Sequence, residues 1–183
     1  DPEIVNDVLI THPQSKIKFL AAPPRPEYAD QVSSYQFQKI LEYLQKIFDY
    51  IVVDTTPYLT DVVQAALDIS TMIVLVATQD IPSIKSVNSF LNLSDQSGIS
   101  RKRILFVVNR YDKRIAISPE RISDSLKLNV DAVIPLEERI VITSINRGIP
   151  LIIENKNTPV SKSIYSINEK VKERINSLSE EPV

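Results

Sequence analysis

Five short apolar runs limit what this chain can fold into more than any other feature: "IKFLAAP" (17–23), "YIVVD" (50–54), "MIVLVAT" (72–78), "ILFVVN" (104–109) and "DAVIP" (131–135). They are rich in Val and Ile and lack polar alternation. Each is therefore expected to be a strand covered on both faces, as in a parallel sheet between helices. Between the runs the period becomes helical. Phe37, Ile40, Leu41, Leu44, Ile47 and Phe48 share one side of a helix, and Ile81, Ile84, Val87, Phe90 and Leu91 share one side of another. Ser118, Pro119 and Glu120 read as an N-cap, a first-turn proline and an acid at the positive helix end. A helix starting near Leu136 should stop at Gly148 and Pro150. Thr158 and Pro159 open a last helix with the stripe Val160, Ile164, Ile167, Val171, Ile175 and Leu178, and the tail 179–183 is expected to fray. The pattern predicts an α/β fold, a mostly parallel sheet flanked by helices on both faces, in a single domain.

With 183 residues the chain can bury one sizeable core, and a net charge of -2 argues against a surface given over to nucleic acid. Cysteine is absent, which excludes a disulfide framework, a thiolate zinc site and a cysteine nucleophile. No apolar run approaches the ~20 residues that span a bilayer, so a cytoplasmic location without an integral membrane segment is expected. His12, the sole histidine, reads as a surface residue, and "RKR" (101–103) as a solvated turn. Tyr28, Tyr35 and Tyr58 read as core or rim residues. The last helix is expected to pack on the sheet rather than lie on a membrane, because "EKVKERINSLSEE" mixes charge signs.

In layered α/β folds ligands sit beyond the carboxyl ends of the strands. The residues there are Pro23 to Arg25 after the first run, Asp54 to Pro57 after the second, Thr78 to Pro82 after the third, Asn109 to Asp112 after the fourth, and Pro135 to Glu138 after the fifth. An apolar strand that delivers an aspartate to the sheet edge is one way to hold Mg²⁺, a hard cation that wants oxygen ligands. The same aspartate could instead cap the turn that follows it.

The stretch "FDYIVVDTTPYLTDVVQAALDISTMIVLVATQDIPSIKSV" resembles the Walker B and switch II region of the MinD/ParA family of P-loop ATPases. Downstream, "ILFVVNRYDKRIAISPERISDSLKLNVDAVIPLEERIVITSINRGIPL" is similar in order and spacing to the pilus-assembly, TadZ/CpaE-like branch. The opening "DPEIVNDVLITHPQSKIKFLAAPPRPEYADQVS" resembles that branch's segment between its second and fourth strands, so the likeness runs over roughly residues 1–170. It implies that Asp54 is the Walker B residue at the Mg²⁺ site and that Thr55, Thr56 and Pro57 form the switch II turn that senses the γ-phosphate. Thr56 stands where the family has a proline, which loosens that turn. The resemblance further implies that Asn109 reads the adenine edge, that Arg110 stacks or meets a partner subunit, and that Pro135, Leu136 and Glu137 close over the base. Read without the family, Asn109 is a strand-end turn residue and Glu137 a helix-start acid.

The family grips phosphates with a glycine-rich loop, because backbone N–H groups must come close to the anion. This chain has 2 glycines, Gly98 and Gly148, and neither lies in such a loop. Residues 1–178 are therefore expected to match the C-terminal two-thirds of an ATPase domain, incomplete at its N-terminus and inactive alone. The leading expectation is a slow ATP- and Mg²⁺-dependent switch that works as a homodimer with pilus or secretion machinery, at the cell pole or the inner membrane face. Two alternatives stay open: a nucleotide-independent adaptor on the same scaffold, and a bacterial tyrosine-kinase-like domain. The latter ranks last because the C-terminus offers only Tyr165.

Overall fold

The computed structural model describes residues 5, 7–23, 25–29 and 31–180. Pro24, among the strand-end residues above, and 181–183 of the tail lie outside the described residues. The chain divides into two compact units, Asp1–Ser70 and Thr71–Val183.

The first unit holds a short antiparallel pair, β1 (Ile10–Thr11) with β2 (Lys18–Phe19), followed by the helices α1 (Pro26–Ala29), α2 (Ser34–Leu44) and α3 (Asp61–Ile69). The turn between β1 and β2 is organised by His12, whose Nδ1 lies 2.8 Å from the Ser15 hydroxyl and accepts the Ser15 N–H at 3.1 Å. Among the described residues no carboxylate joins this pair, so the imidazole serves the turn. Helix α2 begins with a capping box. The Ser33 hydroxyl accepts the Gln36 N–H, and the Gln36 side chain accepts the Ser33 N–H. Leu41 and Leu44 of α2 and Ala66 of α3 form the buried centre, against which Phe37, Ile40, Phe48, Ile51, Val53 and Ile69 pack.

Two of the five expected strands differ here. The run 17–23 contributes only Lys18–Phe19, exposed and antiparallel, because among the described residues its one partner is the equally short β1. The run 50–54 is not a ladder strand, yet it keeps the side-chain alternation of one: Ile51 and Val53 turn onto the α2–α3 cluster while Val52 is 94% exposed. Apolar character alone cannot make a strand, since the ladder needs a neighbour's N–H and C=O groups.

The second unit is a three-stranded parallel sheet in the order β3-β4-β5, made of β3 (Ile73–Thr78), β4 (Ile104–Tyr111) and β5 (Ala132–Pro135). Helices α4 (Ile81–Gln96), α5 (Pro119–Leu126), α6 (Glu138–Arg147), α7 (Leu151–Glu154) and α8 (Pro159–Glu180) connect and flank the sheet. In the central strand Ile104, Leu105, Phe106, Val107 and Val108 are all at most 1% exposed, so both pleat faces are covered. Strand β3 is covered on one face only: Ile73 and Ala77 are buried, whereas Val74 and Val76 are 45% and 53% exposed.

Caps stand where the sequence places them. The Ser118 hydroxyl accepts the Arg121 N–H ahead of Pro119, Gly148 takes the left-handed conformation (φ 63°) after α6, and the Thr158 hydroxyl accepts the Ser161 N–H at 3.2 Å to open α8. Helix α8 turns Val160, Ile164, Ile167, Val171, Ile175 and Leu178 inward and packs on β5. Within that inward stripe lies Arg174, whose Nη2 donates to Asp131 Oδ1 at 2.5 Å and whose Nη1 donates to the Ile104 carbonyl at 2.6 Å. The segment Arg101–Arg103 is one turn of 3₁₀-helix leading into β4. Tyr28, Tyr35 and Tyr58 are all exposed, which removes the core reading for them.

Candidate functional site

In the first unit, Asp54 ends the extended Ile51–Val53 segment and is exposed with its neighbours Thr55, Thr56 and Pro57. The turn that follows is closed without it. The Thr56 hydroxyl donates to the Tyr58 carbonyl at 3.3 Å, and the Thr60 hydroxyl accepts the Val63 N–H at 3.3 Å to cap α3. Among the described residues the Asp54 carboxylate accepts no hydrogen bond, so its oxygens are free for an external ligand. It is a hard-oxygen donor of the type Mg²⁺ takes. Among the described residues no group of three or more acidic, histidine or cysteine side chains gathers to hold a metal. A cation at Asp54 would draw its other ligands from water or phosphate oxygens.

In the second unit, parallel strands bring their carboxyl ends to one edge. Register pairs Thr78 with Asn109 and Tyr111 with Pro135, and β4 carries an irregularity between Val108 and Tyr111. At that irregularity Arg110 is left-handed with φ 55°, a region that costs a residue with a Cβ. Its N–H is accepted by Asn109 Oδ1 at 2.8 Å. This bond fixes which end of the Asn109 amide faces the backbone and leaves Nδ2 as the outward donor. The Arg110 guanidinium is exposed and lies 3.6 Å from the Glu138 carboxylate. Leu136 hangs on the same edge through its N–H to the Tyr111 carbonyl at 2.9 Å.

Glu137 occupies the N-cap position of α6 without a side-chain cap bond there; its Oε2 instead accepts the Val160 N–H at the start of α8, at 3.4 Å. The first-turn acid of α6 is Glu138. The five base-site residues named from the sequence thus share one sheet edge, whereas Asp54 to Pro57 belong to the other unit.

Two features of this edge were not singled out from the sequence. Gln79, directly after β3, is 6% exposed and uses both ends of its amide, donating to the Ile117 carbonyl at 2.6 Å and accepting the Asp112 N–H at 2.9 Å. Asp112 also takes the Arg114 side chain through Nε and Nη2 and accepts the Arg114 N–H at 2.9 Å. That guanidinium fork lowers the Asp112 carboxyl to about 2. At the neighbouring strand end Asp80 caps α4 by accepting the Ser83 N–H at 2.9 Å, and the Thr78 hydroxyl donates to its other oxygen. Those bonds hold its carboxyl below the usual carboxylate range, the Thr78 hydroxyl most of all. The only signal for Gln79 was its place: a long polar side chain immediately after an apolar run.

No protein-family model matches the chain. The septum site-determining protein MinD of Thermotoga maritima is 24% identical over 171 residues, which cover 91% of this chain and 62% of that protein. The chain thus spans less than two-thirds of the length of this curated relative. Among solved structures, a ParA family ATPase from Chlorobium tepidum superposes with a TM-score of 0.83 at 18% identity, over 91% of this chain and 70% of that one. The cell division ATPase MinD of Pyrococcus furiosus gives 0.78 at 22% identity, over 92% and 70%. These structures share the α/β fold with its parallel sheet flanked by helices. The chain is thus similar in sequence to a MinD protein and shares its fold with solved MinD and ParA ATPases.

Proposed function

We propose that this chain carries the metal-sensing and base-reading parts of a MinD/ParA-like ATPase switch of the pilus-assembly, TadZ/CpaE-like type. The observation that carries the proposal is the Asp54 carboxylate, exposed at the end of an apolar extended segment and left free by a turn that Thr56 and Thr60 close on their own. In this reading ATP with Mg²⁺ bridges two subunits of a homodimer. Asp54 would hold the metal through water, Asn109 would read the adenine edge, and Arg110, Pro135, Leu136 and Glu137 would border the base. Hydrolysis releases the Thr55–Pro57 turn and with it the dimer and its pilus or secretion partners, at the cell pole or the inner membrane face. Nucleotide controls the timing of assembly rather than a metabolic flux. Among the described residues no helix is long and apolar enough to cross a membrane.

The test is calorimetric titration of the full-length protein with ATP, with and without Mg²⁺. Asp54→Ala is expected to abolish the Mg²⁺-dependent gain in affinity, and Asn109→Ala to weaken ATP whether or not the metal is present. A wild-type protein that binds no ATP with Mg²⁺ would overturn this reading in favour of the nucleotide-independent adaptor.

A further inference from the structure

The loop between β4 and α5 is basic in an acidic chain. Residues 110–121 hold four cations, Arg110, Lys113, Arg114 and Arg121, against two acids, Asp112 and Glu120, a net charge of +2. With -2 over the whole sequence, the remaining residues carry -4 between them.

The loop is held at both ends and across its middle. The buried Gln79, directly after β3, accepts the Asp112 N–H at 2.9 Å and donates to the Ile117 carbonyl at 2.6 Å, which ties both ends to a neighbouring strand. Inside the loop the Ile115 N–H donates to the Asp112 carbonyl at 3.0 Å, and the Arg114 N–H donates to the Asp112 carboxylate at 2.9 Å. A loop fixed in this way gives up little conformational freedom when something docks on it.

Two guanidiniums are pinned to this frame with donors to spare. Arg114 forks onto Asp112 through Nε and Nη2, yet its side chain is 82% exposed, and its Nη1 has no acceptor among the described residues. Arg121 Nη1 donates to the Ala116 carbonyl at 3.3 Å, while its Nε and Nη2 have no acceptor among the described residues. Ile115 lies along the loop between these two anchor points, Asp112 and Ala116, and is 45% exposed although apolar. Lys113 is exposed beside it, with no hydrogen-bonded partner among the described residues.

The two kinds of group select different features of a ligand. Guanidinium forks take planar oxyanions, carboxylate or phosphate. An open isoleucine gains by covering itself with another apolar side chain, which a sugar–phosphate chain does not offer. The negative charge carried by the rest of the protein also works against a long polyanion that would run beyond the loop. We propose that the 113–115 tip, with Arg121, is a docking site for an acidic segment of a partner protein in which an apolar side chain stands between carboxylates. The carboxylates meet Lys113, Arg114 and Arg121, and the apolar side chain covers Ile115. None of these four residues is among those assigned above to ATP.

The experiment is fluorescence anisotropy of a labelled, end-blocked peptide, Glu-Asp-Leu-Asp-Glu, titrated with the full-length protein. Beside it stand the same peptide with Ser in place of Leu and an oligothymidylate of equal charge. Circular dichroism establishes that each variant is folded. The Leu peptide is expected to bind the wild type and to weaken about fivefold or more in the double variant Arg114→Gln with Arg121→Gln, the upper range for exposed charge pairs. Ile115→Ser should weaken the Leu peptide and leave the Ser peptide as it was, a difference that charge alone does not produce. Arg114→Gln releases Asp112, so if that double variant does not fold, Lys113→Gln with Arg121→Gln decides in the same way. A Leu peptide that fails to bind the wild type, or that binds the folded double variant unchanged, overturns the proposal. So does an oligothymidylate that binds as tightly as the Leu peptide, or an Ile115→Ser that leaves the Leu peptide unaffected, since either result describes a general polyanion surface rather than a site for a protein segment.

Discussion

Asp131→Ala should be strongly destabilising although it touches no candidate site residue. The Asp131 carboxylate stands just before β5 and joins three elements. Oδ2 accepts the Phe106 N–H of β4 at 2.7 Å, and Oδ1 accepts Arg174 Nη2 of α8 at 2.5 Å. Truncation leaves the N–H of a residue that is 0% exposed without a partner, at about 1–3 kcal/mol. It also strips the Arg174 guanidinium of its anion. Arg174 keeps the Ile104 carbonyl and is 30% exposed at its side chain, so this second loss is discounted for solvent, to about 1 kcal/mol. The sum is roughly 2–4 kcal/mol, equivalent to a fall in Tm of about 5–12 °C for a chain of this size.

Asp131→Asn retains an acceptor for the Phe106 N–H and gives up only the charge, so about half of that loss is expected. Equilibrium urea unfolding followed by far-UV circular dichroism measures both, and the double variant with Arg174→Met isolates the pair. A loss below about 1 kcal/mol in Asp131→Ala, or Asp131→Asn as damaging as Asp131→Ala, would refute the assignment of the cost to the orphaned N–H.

Three further predictions concern local features. The Asp112 carboxyl, held at about 2 by Arg114, contributes stability that is complete above the ordinary carboxylate value of 3.8 and fades as pH falls toward 2; in Arg114→Leu a carboxyl-carbon NMR titration should find it back near its ordinary value. Thr60→Ala removes the cap of α3 beside the Asp54 loop and should cost about 1 kcal/mol in urea titration, whereas Thr60→Ser should be close to wild type. Val53→Ala should cost about 1–2 kcal/mol because Val53 packs on the Leu41, Leu44 and Ala66 cluster, while Val52→Thr at the exposed neighbouring position should stay within roughly 0.5 kcal/mol; equal effects at the two positions would contradict the alternation described for this segment.

The elements of the second unit were legible because their signals are local. Ser118 with Pro119, Gly148, Thr158 with Pro159, and the 3.6-residue stripe of the last helix each declare themselves within a few residues. Strand pairing does not, since it belongs to two segments at once. The run 50–54 reads as a covered strand, yet only Ile51 and Val53 are packed, and nothing in five residues reveals whether a neighbour supplies the ladder. The same limit hid Arg174, which sits among apolar stripe residues as if it were a defect and is explained by Asp131, 43 residues earlier. At the candidate site the sequence named residues at the strand ends, including the stretch that contains Gln79. It could not say that the Gln79 side chain turns inward or which loop it holds.

The burial of β4 has a further consequence, in time rather than in energy. Its amides from Ile104 to Val108 lie in a strand paired on both sides and covered on both faces, so they can meet solvent deuterons only when the second unit opens as a whole. The 51–54 segment, without a ladder, can exchange from the native state in far shorter times. A protease or a binding partner that samples the chain through its fluctuations will therefore reach the Asp54 loop long before it reaches the strand that carries Asn109.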